Sequence, residues 1–189
     1  GELALLAGCG VTDAPVHRAP RVAILGTGDE LVPPGATPRP GQVINSNALM
    51  LACQARAAGA EVIDLGIARD DVDSLRAALL RGLEADLLVT CGGISVGDHD
   101  LMLPTLLGLG GALVFRRVRL RPGRPTSFLM VPAPTGTRPV FALPGNPASA
   151  HVAFELFVRP ALRRLQGAAW ERPRRRVVLT TAAPCDPRR

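Results

Sequence analysis

Residues 86–101 read DLLVTCGGISVGDHDL. An unbroken apolar run, Leu87 to Val89, passes through Thr90 and Cys91 into three glycines, a serine and two aspartates before apolar residues resume at Leu101. Apolar residues without polar alternation mark a strand buried on both faces. A structural turn needs one glycine. Gly92, Gly93 and Gly97 together permit left-handed backbone and close approach to a ligand. Ser95 adds a hydroxyl, and Asp98 or Asp100 offers oxygen to a divalent cation.

The same grammar recurs outward from this stretch. RVAILG (21–26) and EVIDLG (61–66) are further strands. Between them SNALMLACQARAAG (46–59) has helical spacing, with Asn45 or Ser46 as N-cap and Gly59 as the stop. DDVDSLRAALLRGLE (70–84) is a second helix whose acidic start suits its dipole. Strand, helix, strand, helix, strand predicts a mostly parallel sheet covered by helices, a three-layer α/β/α sandwich. Downstream, LMLPTLLGLGG (101–111) predicts a shorter helix with Pro104 near its first turn. ALVFRRVRLR (112–121) predicts an alternating strand with Arg117, Arg119 and Arg121 on one side. TSFLMV and RPVFALP form a hairpin about PAPTGT (132–137), and ASAHVAFELFVRPALRRLQ (148–166) an amphipathic helix that bends or breaks near Pro160. Residues 27–43 read as a Gly- and Pro-rich loop.

Composition bounds the function. The 189 residues are 47% apolar, enough for one full-sized domain, and no apolar run reaches the length of a bilayer span. All 22 basic residues are arginine, and the net charge is +6. Five Phe, one Trp and no Tyr supply no stacking platform for single-stranded nucleic acid, so an anionic metabolite is the favoured partner. Cys9, Cys53, Cys91 and Cys185 are scattered without a CxxC pair, which suits a reducing cytoplasm and neither zinc nor a disulfide framework. His17, His99 and His151 are far apart and read as spectators. Met50, Met102 and Met130 read as core filler, and Arg172 to Arg176 as a solvated connector.

In open α/β sheets ligands bind beyond the carboxyl ends of the strands, and five segments share that address. TGDEL (27–31) follows the first strand. Gly26 and Gly28 resemble a dinucleotide fingerprint, but Leu31 stands where a third glycine belongs, so that reading fails. Thr27, Gly28, Asp29 and Glu30 remain, as a solvated turn or as two carboxylates at a site. INSN (44–47) places Asn45, Ser46 and Asn47 at a helix start, where capping explains one of the three. RDD (69–71) offers one aspartate as a cap and leaves a second, Asp70 or Asp71, unexplained. The glycine segment 92–100 is the fourth. The fifth joins RPGRP (121–125), with Arg121 and Arg124 suited to a tetrahedral oxyanion, to LPGNPAS (143–149), with Asn146 and Ser149 opening a helix.

With TGDEL, INSN, RDD, GGISVGDHD, RPGRP and LPGNPAS in this order, residues 20–167 resemble the molybdopterin molybdenumtransferases. These are the MoeA-type molybdenum insertases, which include the catalytic part of gephyrin. The resemblance implies a molybdopterin-binding, MogA/MoaB-like domain over residues 21–167. Residues 1–20 would be the tail of a preceding domain and 168–189 the start of a truncated C-terminal β domain. It implies the conversion of adenylated molybdopterin and molybdate into molybdenum cofactor and AMP, with Mg²⁺ required. Carried over by motif, Asp70 and Asp100 are catalytic and metal-binding, and Glu30 is a further catalytic carboxylate. Thr27, Gly28, Asp29, Asn45, Ser46, Asn47, Gly92, Gly93, Ser95, Gly97, Pro144, Gly145 and Asn146 contact the pterin or nucleotide, while Arg121, Arg124, Pro125 and Ser149 bind molybdate.

Many relatives carry lysines where this chain has Arg121 and Arg124, which replaces a point charge by a planar fork. The resemblance also implies a homodimer for the complete protein, a MogA-type adenylyltransferase as a partner, and a fragment that binds ligand yet turns over poorly. Rival readings are a MogA-type adenylyltransferase, for which a GGTG-like loop is expected, and a CinA-type domain, for which a GPTxDD-like pattern is expected. Neither pattern is present. A scaffold role is the rival from outside catalysis.

Overall fold

The computed structural model describes residues 1–93 and 101–171, together with 176, 178, 180 and 181. Its frame is a six-stranded sheet. The strands are β1 (Arg21–Thr27), β4 (Glu61–Ala68), β5 (Leu87–Cys91), β6 (Ala112–Arg116), β7 (Ser127–Ala133) and β8 (Gly136–Leu143), in the order β4-β1-β5-β8-β7-β6. β4, β1, β5 and β8 run parallel, and β7 and β6 close one side antiparallel. The four parallel strands therefore end along one edge of the sheet.

Helices cover both faces, as the alternating pattern of elements predicts. On one face α2 (Ser46–Ala57), α5 (Pro147–Ala153) and α6 (Arg159–Leu165) pack over Val22, Ile24, Leu87, Val89, Phe141 and Leu143. On the other, α3 (Val72–Gly82) and α4 (Met102–Gly108) pack over Ala23, Leu25, Leu88, Leu129, Val140 and Ala142. The period-two alternation of a strand sends neighbouring residues of β1 and β5 into opposite layers, and both layers are apolar. That is why VAILG (22–26) and LLV (87–89) carry no polar positions. Capping matches the sequence: Asn45 accepts from the Ala48 amide at 3.2 Å, Asp71 from the Ser74 amide at 2.8 Å, and Gly59 closes α2 with φ of 82°.

Three local expectations change. The stretch 27–43 is not wholly irregular, because β2 (Leu31–Val32) and β3 (Val43–Ile44) form a small parallel sheet. Two-residue strands are too short to leave a periodicity. The strand expected through Arg121 stops at Arg116. Arg117 takes φ of 67° and turns the chain, and the Val118 amide then bonds back to the Arg124 carbonyl at 2.9 Å. The last helix runs on through Pro160 by widening: Phe154–Val158 form a π turn between α5 and α6. A proline ring crowds the carbonyl four residues back and brings no N–H, and an extra residue in the turn accommodates both.

α1 (Glu2–Gly8) buries no side chain. The C-terminal β domain expected over 168–189 falls on residues of which only 168–171, Arg176, Val178, Thr180 and Thr181 are described. Ser95, Gly97, Asp98, His99 and Asp100 lie outside the described residues, as does Cys185. Cys9, Cys53 and Cys91 are free thiols. Met102 is core, and Met50 packs against the first layer.

Candidate functional site

The carboxyl edge gathers the segments singled out from sequence. β1 delivers Thr27 to Glu30, β4 delivers Arg69 to Asp71, β5 delivers Gly92 and Gly93, and β8 delivers Pro144 to Asn146. The turn between β6 and β7 carries Arg121 to Pro125 to the same edge, because Arg116 pairs with Ser127 and Ser127 with Ala142 beside the end of β8. An added Cβ on Gly123 would meet the Ser149 carbonyl oxygen at 3.6 Å, so the RPGRP turn rests on the start of α5. β4 and β7 are four strand spacings apart, so this rim extends for roughly 19 Å.

Contacts between loops weld the rim together. The Asp70 amide donates to Asp29 Oδ1 at 3.2 Å, and Asn47 Nδ2 donates to the Gly145 carbonyl at 2.7 Å. Cys91 Sγ donates to the Pro144 carbonyl at 3.2 Å. Gly92, with φ of 98°, bonds by its amide to the Leu143 carbonyl at 3.2 Å. A Cβ there would strike the Thr27 carbonyl oxygen, and one on Gly93 would stand 2.7 Å from Thr27 Oγ1. These two glycines are obligatory for close approach of β5 to β1. Asn45 spends Oδ1 on its cap, and its Nδ2 lies against Gly26.

Beneath the rim lie buried oxygens that no described residue bonds: Thr27 Oγ1, Thr90 Oγ1 and Asn47 Oδ1. A buried polar atom left unsatisfied costs about 1–3 kcal/mol. Three such atoms at the ends of β1 and β5 and the start of α2 are hydrogen-bonding capacity that no described residue uses. Thr90 is a group that sequence reading missed, because it sits inside an apolar strand and nothing in its spacing distinguishes it. Burial disfavours the Cys91 thiolate and pushes the thiol pKa up to about 12, only partly opposed by hydrogen bonding from Asn47.

Charge is divided along the rim. At the β4 end an open cleft of about 650 Å³ is lined by Gly28, Asp29, Gln42, Arg69, Asp70 and Asp71. Asp71 is committed to capping α3, whereas the Asp70 carboxylate bonds to no described residue. At the β6–β7 end Arg117, Arg119, Arg121 and Arg124 are all exposed. Among the described residues no group of three or more acidic, His or Cys side chains is arranged to hold a metal unaided. A hard cation placed on Asp29 and Asp70 would need oxygens from a bound ligand, which is how Mg²⁺ is commonly held beside phosphates. The oxygen donors present fit that arrangement.

The family described as "Probable molybdopterin binding domain" matches residues 23–164. The chain belongs to that family. It is 40% identical over 174 residues to a protein of Nostoc sp. (strain PCC 7120) named molybdopterin molybdenumtransferase, covering 90% of this chain and 39% of that one. This member of the molybdopterin binding domain family thus spans about two fifths of that relative's length. Among solved structures, the molybdopterin biosynthesis MoeA protein of Pyrococcus horikoshii superposes with a TM-score of 0.74 at 36% identity, over 87% of this chain and 40% of that one. The tungsten cofactor synthesizing protein MoaB of Pyrococcus furiosus shares the fold, with a TM-score of 0.59 at 17% identity over 82% of this chain and 99% of that one.

Proposed function

We propose that this chain is the molybdopterin-binding catalytic domain of a molybdenum insertase, acting on adenylated molybdopterin and molybdate to give molybdenum cofactor and AMP. The observation that carries the reading is the division of charge along one rim: acids at the β4 end, arginines at the β6–β7 end, and unpartnered oxygens between them. A phosphorylated, adenylated pterin is long enough to lie along such a rim, and a tetrahedral dianion suits the arginine end.

In this reading Arg121 and Arg124 hold molybdate by charge-assisted hydrogen bonds, and Ser149 and the Pro125 turn shape the pocket. Thr27, Asn47, Gly92, Gly93 and the Pro144–Asn146 turn position the pterin and its phosphate. Asp70, with Asp29 beside it, would hold Mg²⁺, which when bound neutralises phosphate charge. Asp70, Glu30 and Asp100 are the carboxylates assigned to cleavage of the phosphate link. The flanking stretches 1–20 and 168–189 are assigned to neighbouring domains of a cytoplasmic homodimer supplied by an adenylyltransferase of the MogA type. The chain alone binds ligand but turns over poorly.

The test is AMP release from adenylated molybdopterin in the presence of molybdate, with the chain alone and within its complete protein. Consumption of ATP with unmodified molybdopterin would replace this reading with the adenylyltransferase. Equal rates for the chain and the complete protein would refute the dependence on flanking domains. Asp100→Asn in the complete protein should abolish AMP release; a complete protein that releases no AMP even as wild type, yet keeps its binding partners with Asp100→Asn, would be a scaffold.

A further inference from the structure

Arg117 and Arg119 are not needed to explain the pocket assigned to Arg121 and Arg124, yet the fold goes to some length to present them. Arg117 is the one described non-glycine residue with positive φ, 67°, a conformation that costs an ordinary side chain free energy. It sits where β6 ends, its amide bonded to the Thr126 carbonyl at 2.9 Å, one step before Val118 bonds to Arg124. Leu120 turns inward under Gly123, 3.0 Å from where a Cβ would lie, and its amide bonds to the Val118 carbonyl at 2.9 Å. With Val118 and Leu120 half-buried, Arg117, Arg119, Arg121 and Arg124 all stay exposed on one small tip. No ion pair ties Arg117 or Arg119 to a described residue.

The contrast with Arg18 and Arg138 is direct. Those arginines, at the opposite end of the sheet, spend their guanidinium groups on Asp86, Ala85 and Thr135. Four like charges on one turn repel each other and are held close by the backbone. Such an arrangement raises the local concentration of small multivalent anions, and the effect depends on salt.

We propose that Arg117 and Arg119 form an outer collecting ring for tetrahedral oxyanions, gathering the dianion by long-range attraction and delivering it to Arg121 and Arg124. The proposal rests on the functional reading above and adds residues to it. The ring acts through the field and not through a contact in the bound state, which separates its signature from that of the inner pair.

The test is titration calorimetry of sodium molybdate into the chain at about 10 mM and about 1 M NaCl, where screening lengths are about 30 Å and about 3 Å. The double variant Arg117→Gly, Arg119→Gln removes both charges. Glycine is at ease at positive φ, so folding, followed by thermal melting, is retained. Molybdate affinity is expected to fall roughly three- to tenfold at low salt and to match wild type at high salt. The remote pair Arg81→Gln, Arg164→Gln, with the same loss of charge, is expected to change it less than twofold. An unchanged low-salt affinity in the ring variant overturns the ring and leaves the insertase reading standing. So does a deficit that persists at high salt, which would mean direct contact, or an equal loss in the remote pair. A wild-type chain that takes up no molybdate at either salt sinks the ring and the molybdate pocket together.

Discussion

The two ends of the sheet are made of similar residues put to opposite use. At the amino end, Arg18 grips Asp86 through two hydrogen bonds of 2.6 Å, and the Arg21 amide adds a third at 2.7 Å. Arg138 donates to the Ala85 and Thr135 carbonyls at 2.8 Å. A recess of about 460 Å³ lies there, but its charged walls are already paired. At the carboxyl end, Asp70 and Arg117, Arg119, Arg121 and Arg124 have no such partners among the described residues, and three buried oxygens there meet none either. Charge that is consumed internally stabilises a fold. Charge and hydrogen-bonding capacity left open at a comparable position is a site, at some expense in stability.

The largest effect expected from this contrast is functional. Asp70→Asn should lower AMP release by at least roughly a hundredfold in the complete protein, with a melting temperature near that of wild type, because its carboxylate bonds to no described residue. A melting temperature well below wild type would show that the carboxyl end is as structural as the amino end. Next comes Gly92→Ala. The new Cβ strikes the Thr27 carbonyl at a backbone angle that alanine avoids, so urea melts should show a loss of about 2–4 kcal/mol.

The thiols offer a third comparison. Cys9 and Cys53 are exposed and Cys91 is buried with its pKa raised to about 12, so iodoacetamide at pH 8 should alkylate the first two long before the third. Rapid labelling of Cys91 would mean that the rim opens. The smallest effect concerns the amino end. Hydrogen bonding from Arg18, aided by the Arg21 amide, lowers the Asp86 pKa against a desolvation cost. A carboxylate lowered by folding contributes stability at pH values above its unfolded pKa and loses it as pH falls through the folded value. Asp86→Asn should therefore lower the melting temperature modestly at pH 7 and make no difference in strong acid. An equal deficit at both ends of that pH range would show that the fork is not the cause.

Much of this could be read before any coordinates. β1 and β5 announced themselves because burial on both faces forbids polar residues, and Asn45, Asp71 and Gly59 announced helix ends because caps demand particular side chains. Asp70 stood out because one aspartate suffices to cap a helix. Other features left no trace. β2 and β3 are too short for a period. Arg117 looked like one more residue in an alternating strand, since exposure alternates through the turn just as it would along a strand. Thr90 gained its meaning only because no described residue reaches its buried oxygen.

The amino-acid order by itself determined where the long strands and helices lie, apart from the end of β6, and which connectors carry acid, amide or arginine. Those properties are local, set by periodicity, capping chemistry and the conformational freedom of glycine. Only the tertiary structure decided that Asp29 meets Asp70, that Asn47 reaches Gly145, and that Arg18 rather than Arg124 finds a carboxylate. Pairing across 41, 98 and 68 residues depends on strand order in the sheet, and no short window of sequence encodes that order.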